Sequence, residues 1–405
     1  MKIEIPYGGT SQILQTGDEQ SVEIASPKRT PAIPESVSKS IATPTQFEDL
    51  DSFISTRRKL LVVVNDYTRP TPTAHVLKQL NLEGNDATTI VACGTHREPN
   101  EQEIRAILGG STPPFGGRVV VHNSRDNESL VEAGSTRRGT KLSLNRLLFD
   151  SDGIIVVGSV EPHYFAGYTG GRKFLLPALA GFESIVMNHA LAVDDHARII
   201  QLEGNPVHED FMDALRLFGR DEDIFSIQLV LNAEHQVNYA SSGHIVHSFV
   251  DAIKHANETY VAPVTAQADI VISVSKPPMD IDFYQSQKAI ENVKLAVKDN
   301  GIIILVSCCR EGIGDKGFYN LLVSGDVTMN PHKFGFHKAI KMKRLLERAG
   351  VSVVSNLPAA VPSAMSLTPF TDIQTAFDKA KKIKGNSARV LIVYDGSIVV
   401  PVPAH

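Results

Sequence analysis

Four short runs in the N-terminal part of the chain are compact and largely apolar: Lys59–Val64 (KLLVVV), Thr88–Cys93 (TTIVAC), Arg118–His122 (RVVVH) and Gly153–Val157 (GIIVV). A strand with one wet face alternates apolar and polar residues. A strand apolar throughout is buried on both faces, as in a parallel sheet covered by helices. Helical patterns lie between the runs, at Thr73–Leu80 and Asn100–Leu108. The pattern predicts an α/β chain with a doubly wound sheet.

Ser226–Leu231 and Gln236–Tyr239 read as further strands, and His244–Tyr260 as a helix. Ala262-Pro263-Val264-Thr265 reads as a hinge. Beyond it the rhythm restarts with strand Asp269–Val274, helix Tyr284–Val297, strand Gly301–Val306, helix Pro331–Ala349, strand Val351–Val354, helix Asp372–Lys382 and strand Arg389–Val393. A chain of 405 residues exceeds one ordinary core. Two domains are expected, 1–262 and 263–405. Each holds a mostly parallel sheet flanked by helices, with the active site in the cleft between them.

Composition narrows the function classes. Apolar residues make up 42% and charged residues 21%, with a net charge of −5 and both signs mixed along the chain. That balance disfavours nucleic acid and anionic membranes as partners. No run reaches the roughly 18 apolar residues of a membrane helix, and MKIEIPYGG alternates like a strand rather than a signal peptide. The three cysteines, Cys93, Cys308 and Cys309, suit a reducing compartment. A cytoplasmic enzyme is the expectation.

In open α/β sheets ligands bind beyond the carboxyl ends of the strands, which singles out four stretches. Asn65-Asp66-Tyr67-Thr68-Arg69-Pro70-Thr71-Pro72 places Arg69 where its two-pronged guanidinium can grip a carboxylate, or where it can pair with Asp66 on the surface. Gly94-Thr95-His96-Arg97-Glu98 offers His96 for proton exchange near neutral pH. A zinc site with Cys93 lacks further close ligands.

The third stretch, 158–190, carries His163 and then Gly167-Tyr168-Thr169-Gly170-Gly171-Arg172-Lys173. Glycines at a helix start can let backbone amides approach a phosphate. Lys173 and His189 would stand about 24 Å apart on one continuous helix, but Pro177 and Gly181 break the run and let the chain fold back. In the fourth stretch Tyr284 and Lys288, four apart at a helix start, share a face that would suit an anion.

The joint pattern resembles the nickel-pincer lactate racemases and their wider set of 2-hydroxyacid racemases and epimerases. The matching pieces are Asp66-x-Thr68-Arg69-Pro70-x-Pro72, Gly94-Thr95-His96-Arg97, Glu161-Pro162-His163, Gly167-Tyr168-x-Gly170-Gly171-x-Lys173, Asn188-His189 and Tyr284-Gln285-x-x-Lys288. The resemblance implies a cofactor, the nickel-pincer nucleotide (pyridinium-3-thioamide-5-thiocarboxylic acid mononucleotide) with Ni(II). Lys173 would hold it covalently and His189 would be the protein's nickel ligand. Gly167, Tyr168, Thr169, Gly170, Gly171 and Asp66 would complete its site. His96 and His163 would be the two acid/base residues. Arg69, Tyr284, Gln285 and Lys288 would bind a small 2-hydroxy acid. Separate enzymes would build the cofactor during maturation.

His122, His196, His208, His235, His244 and His247 lie outside these motifs and read as structural. Two other functions compete: a zinc hydrolase or lyase using His96, His163 and His189 together, and a two-lobed carboxylate-binding protein without chemistry. Lys173 discriminates, because only the pincer reading needs it as an attachment point. Which 2-hydroxy acid is used is not written in the motifs.

Overall fold

The computed structural model describes residues 1–17, 20–28, 30–82, 85–110, 115, 117–324 and 335–404. It forms two compact units, Arg29–Thr259, and Met1–Lys28 together with Tyr260–His405. The expected division at 262/263 placed Met1–Lys28 with the wrong partner: that segment belongs with the C-terminal unit.

The unit Arg29–Thr259 is built on six strands in the order Val237–His244, Ile224–Leu231, Gly153–Ser159, Lys59–Asn65, Asp86–Ala92, Arg118–Val121. All neighbours run parallel except the edge strand Val237–His244, which lies antiparallel to Ile224–Leu231. The apolar runs explain the layering. Leu61, Val63, Ile154 and Val156 pack into one core beneath the sheet, while Leu60, Val62, Val64, Ile155 and Val157 pack into another above it. Alternate residues thus enter opposite layers, and both layers are dry.

The strand Lys59–Asn65 is central. The chain moves from it to one side through Asp86–Ala92 and Arg118–Val121, then returns to its other side with Gly153–Ser159. The switch between Lys59–Asn65 and Gly153–Ser159 is where a doubly wound sheet opens a crevice for ligands. Two elements not foreseen from the sequence matter below. A hairpin, Leu130–Ser135 with Lys141–Asn145, packs beside helix Phe182–Ala190. A short ladder pairs Pro162–His163 with Gly167–Tyr168.

The other unit has six parallel strands in the order Thr368–Phe370, Gly350–Val354, Val297–Val306, Ala268–Val274, Val390–Val393, Val22–Ala25. The N-terminal strand Val22–Ala25 completes this sheet at one edge. Hairpin Lys2–Tyr7/Thr10–Gln15 is tied to helix Ile373–Lys384, where Ile373 N–H donates to Gln12 Oε1 at 2.7 Å. Ile3, Ile5 and Leu14 are buried there with Ile373 and Phe377. The segment read as a hinge is a strand, Val261–Val264, parallel to Val400–Pro403. Its Pro263 is tolerated because a two-stranded pair leaves one side of each strand free of ladder bonds. Part of the expected helix Pro331–Ala349, residues 331–334, lies outside the described residues. The observed helix is Phe336–Arg348.

All three cysteines are buried thiols. Among the described residues no helix is long and apolar enough to cross a membrane.

Candidate active site

Three adjacent strand ends in the unit Arg29–Thr259 deliver the site. Lys59–Asn65 is followed by Asp66, whose side chain is only 3% exposed. Its Oδ1 accepts from the Thr68 backbone N–H (3.0 Å) and hydroxyl (2.6 Å), and its Oδ2 lies 2.6 Å from His96 Nδ1. Burial alone would raise the Asp66 carboxyl, but the bonds from His96 and Thr68 and the Arg69 charge outweigh it and hold it below its usual range. A carboxylate only accepts, so His96 Nδ1 carries a proton. In the neutral ring Nε2 then presents a lone pair. Both Asp66 oxygens thus accept hydrogen bonds within the protein. Asp66, expected at the cofactor, also orients His96.

Arg69 follows on the same loop. Its Nη1 donates to Glu161 Oε1 at 2.6 Å, and both side chains are mostly buried, at 22% and 11% exposure. The partner is Glu161 and not Asp66, because the loop from Gly153–Ser159 runs alongside. Thr71 Oγ1 and Ser159 Oγ lie 3.1 Å apart across the same switch. The remaining guanidinium nitrogens have no protein partner among the described residues.

The ladder Pro162–His163/Gly167–Tyr168 presents the second histidine. His163 is 9% exposed and stacks on Tyr164. The Ala166 backbone N–H donates to His163 Nδ1 at 3.3 Å. Nδ1 is therefore an acceptor, and the neutral ring keeps its proton on Nε2. Phe165 is the hub. Its ring lies 4.5 Å from His163, 5.0 Å from His189 and 5.8 Å from Lys173 Nζ. Helix Phe182–Ala190, begun by Gly181 after the Pro177 break, returns His189 to the ring that Lys173 approaches. Gly94 N–H donates to Ala178 O at 3.1 Å, tying the His96 loop to the same segment.

The glycine-rich turn is packed against its own unit. A Cβ at Gly170 (φ +78) would lie 2.6 Å from Gln228 Oε1, and one at Gly171 (φ +51) 2.6 Å from the Phe249 ring. The Gly171 N–H donates to Gln228 Oε1 at 2.9 Å. These glycines are required by close packing, and the Gly171 amide is already used within the protein. Tyr168 donates its hydroxyl to Asn257 Oδ1, and burial pushes its phenol up to about 12. Thr169 Oγ1 donates to Ser159 O.

Arg172, quoted in the motif but given no role from sequence, is the largest fully buried side chain. It donates to Ala166 O, Tyr168 O, Gly170 O and His208 Nδ1. Burial lowers its pKa to about 9, and burial first and then the Arg172 charge lower His208 to about 3. Arg172 thus knits the turn that carries Lys173. His208 stays neutral and accepts. Partners so distant in sequence left no local signal.

In the other unit, helix Phe283–Val293 carries Tyr284, Gln285 and Lys288. Asp282 caps it, accepting from Gln285 N–H at 2.7 Å. Lys338, not foreseen, donates to Tyr284 O at 2.7 Å, and its ammonium sits 3.2 Å from the Tyr284 ring centroid. Burial first, and then Lys288, lower the Lys338 pKa well below its usual value.

Two family models match the chain, the lactate racemase N-terminal domain over residues 7–200 and the lactate racemase C-terminal domain over residues 264–401. The chain belongs to the lactate racemase family. A lactate racemase from Thermoanaerobacterium thermosaccharolyticum is 28% identical over 427 residues, covering 98% of both chains. One from Lactiplantibacillus plantarum is 27% identical, covering 98% of this chain and 99% of its own. The solved lactate racemase apoprotein from T. thermosaccharolyticum superposes with a TM-score of 0.91 at 26% identity, over 99% of this chain and all of that one. A Thermotoga maritima protein shares the fold, with a TM-score of 0.68 at 19% identity over 88% of this chain and 97% of its own. The lactate racemase relatives extend over nearly the whole chain, and the chain is an isomerase, a racemase.

Proposed function

We propose that the protein racemises or epimerises a 2-hydroxy acid of the lactate type, with His96 and His163 as its acid/base pair. The observation that carries this reading is the opposed wiring of the two imidazoles. Asp66 leaves His96 Nε2 as a lone pair, while Ala166 leaves the proton of neutral His163 on Nε2. His96 is thereby set to take a hydroxyl proton at Nε2, and His163 directs its Nε2–H at the site, from which it gives a proton back once the ring is protonated.

The side chains fit the nickel-pincer nucleotide at the attachment and ligand positions. The half-buried Lys173 amine and the His189 imidazole approach one ring, Phe165, so an amine for covalent attachment and a nitrogen donor for nickel lie together. When bound, the group supplies a hydride acceptor for the substrate's C2, a chemistry that no side chain here provides. The glycine turn, with Arg172, holds the Lys173 backbone. Arg69 binds the substrate carboxylate with its free nitrogens, Glu161 keeping the guanidinium in place. His96 Nε2 accepts the hydroxyl proton of one enantiomer, and the Asp66 carboxylate stabilises the resulting imidazolium. His163, in its protonated imidazolium form, supplies the proton that completes the other and is left as the neutral ring. In the reverse direction the roles exchange, and the long Ala166 contact gives way whenever His163 is protonated. Family resemblance assigns Tyr284, Gln285 and Lys288 to substrate binding.

A zinc reading needs His96, His163 and His189 on one ion. Among the described residues no group of three or more His, Cys, Asp and Glu is arranged to hold a metal. The test is mass spectrometry with metal analysis of protein produced with and without cofactor-building enzymes. Added mass at Lys173 and nickel are expected only in the first case, with His189→Ala losing the nickel. Full racemase activity without either would overturn the cofactor assignment.

A further inference from the structure

Asp210 is fully buried, and among the described residues no cation pairs with it. A carboxylate removed from water without a counter-charge is expensive unless hydrogen bonds replace its hydration. Three side chains supply them. Thr136 and Thr140, at the tip of hairpin Leu130–Ser135/Lys141–Asn145, donate their hydroxyls to Oδ1 and Oδ2 respectively, and Asn188 Nδ2 donates to Oδ2 at 2.8 Å. The Thr136 proton is directed to Asp210 because its oxygen already accepts the Thr140 backbone N–H at 3.0 Å. Asn188 is itself 0% exposed.

The donor inventory then fixes the next link. A carboxylate cannot donate, so the Asn188 amide must turn its NH2 to Asp210 and its Oδ1 the other way. That Oδ1 lies 3.2 Å from His189 Nδ1. An amide oxygen only accepts, so His189 Nδ1 must carry the proton and Nε2 the lone pair. We infer that Asp210 is a positioning residue that sets the tautomer of His189 through Asn188, presenting Nε2 as the unprotonated nitrogen. A metal-bound imidazole is oriented by the group that receives its other N–H, and here an amide passes the carboxylate's polarity on. The value of this to nickel binding rests on the ligand role proposed for His189, whereas the tautomer does not.

The test is nitrogen-15 NMR of the full-length apoprotein with labelled histidine, the His189 signals being assigned by their loss in His189→Gln. Wild type is expected to show a protonated Nδ1 and an unprotonated Nε2 in the neutral ring. Asp210→Asn frees the Asn188 amide to reverse, and should move the tautomer ratio on the order of tenfold toward Nε2–H, the weight of one net hydrogen bond. If Asp210 simply clamped the hairpin and helix Phe182–Ala190 to helix Pro206–Phe218, its loss would lower the melting temperature and leave the ratio alone. A folded Asp210→Asn protein with the wild-type ratio overturns the inference, as does wild type with its proton on Nε2. Should Asp210→Asn fail to fold, Asn188→Ala decides: the same shift supports the relay and an unchanged ratio overturns it. Nickel retention by His189→Ala would remove the ligand role without touching the tautomer result, so the two failures are read separately.

Discussion

At the scale of single residues, the site is made of buried groups whose protons are placed by their neighbours. Asp66 is spent on His96. Asp66→Asn should therefore lower kcat at least tenfold with little change in KM, since the carboxylate steadies the imidazolium and not the bound acid. His96→Asn should cost more, on the order of 10²–10⁴-fold. Equal KM and kcat losses in Asp66→Asn would place it against substrate instead.

His208 makes a stability prediction. Its folded pKa is depressed to about 3 from 6.5, so the neutral ring's contribution is present above pH 6.5 and lost as pH falls, when the unfolded chain takes up the proton and the folded one does not. By pH 5 the loss is about 2 kcal/mol. His208→Gln, which keeps an acceptor for Arg172, should flatten that part of the pH–stability curve in denaturant titrations. An unchanged slope between pH 7 and 5 would show that His208 takes up its proton as readily in the fold as in the unfolded chain.

At the scale of elements, what could be read from the sequence was what is local. Lys59–Val64 and Gly153–Val157 show as strands because both faces are dry, and the Pro177–Gly181 break shows that Lys173 and His189 need not lie apart. The meeting point itself did not show. Phe165 as the shared ring, Arg172 across four acceptors and Asp210 beneath Asn188 depend on contacts between segments whose spacing carries no signal. The glycine turn was recognised but its packing was not, since Gln228 and Phe249 come from elsewhere in the chain. Gly170→Ala should accordingly destabilise the protein by about 1–3 kcal/mol, through its positive φ and the side chains it would strike. Thermal melts would show this even in protein lacking any cofactor. A variant as stable as wild type would mean that the turn can relax, and that glycine there serves a ligand.

At the scale of the whole molecule, the two α/β units were legible and their membership was not. Val22–Ala25 is a short edge strand whose partner, Val390–Val393, lies near the opposite end of the chain, and nothing in so short a strand announces so distant a pairing. In the unit Arg29–Thr259, His96 and His163, Arg69, Lys173 and His189 all descend from strand ends or the segments that follow them. In the proposed reaction C2 is inverted by moving a hydride, with the histidines handling only the hydroxyl proton. The most direct test uses mature, cofactor-loaded protein and one enantiomer of lactate deuterated at C2, in ordinary water. The deuterium content of the opposite enantiomer is then read by mass spectrometry. Retention of deuterium at C2 is predicted, because a hydride returned within the site never meets solvent. Replacement by solvent hydrogen as inversion proceeds would show that C2 loses a proton to a base, and would contradict the account.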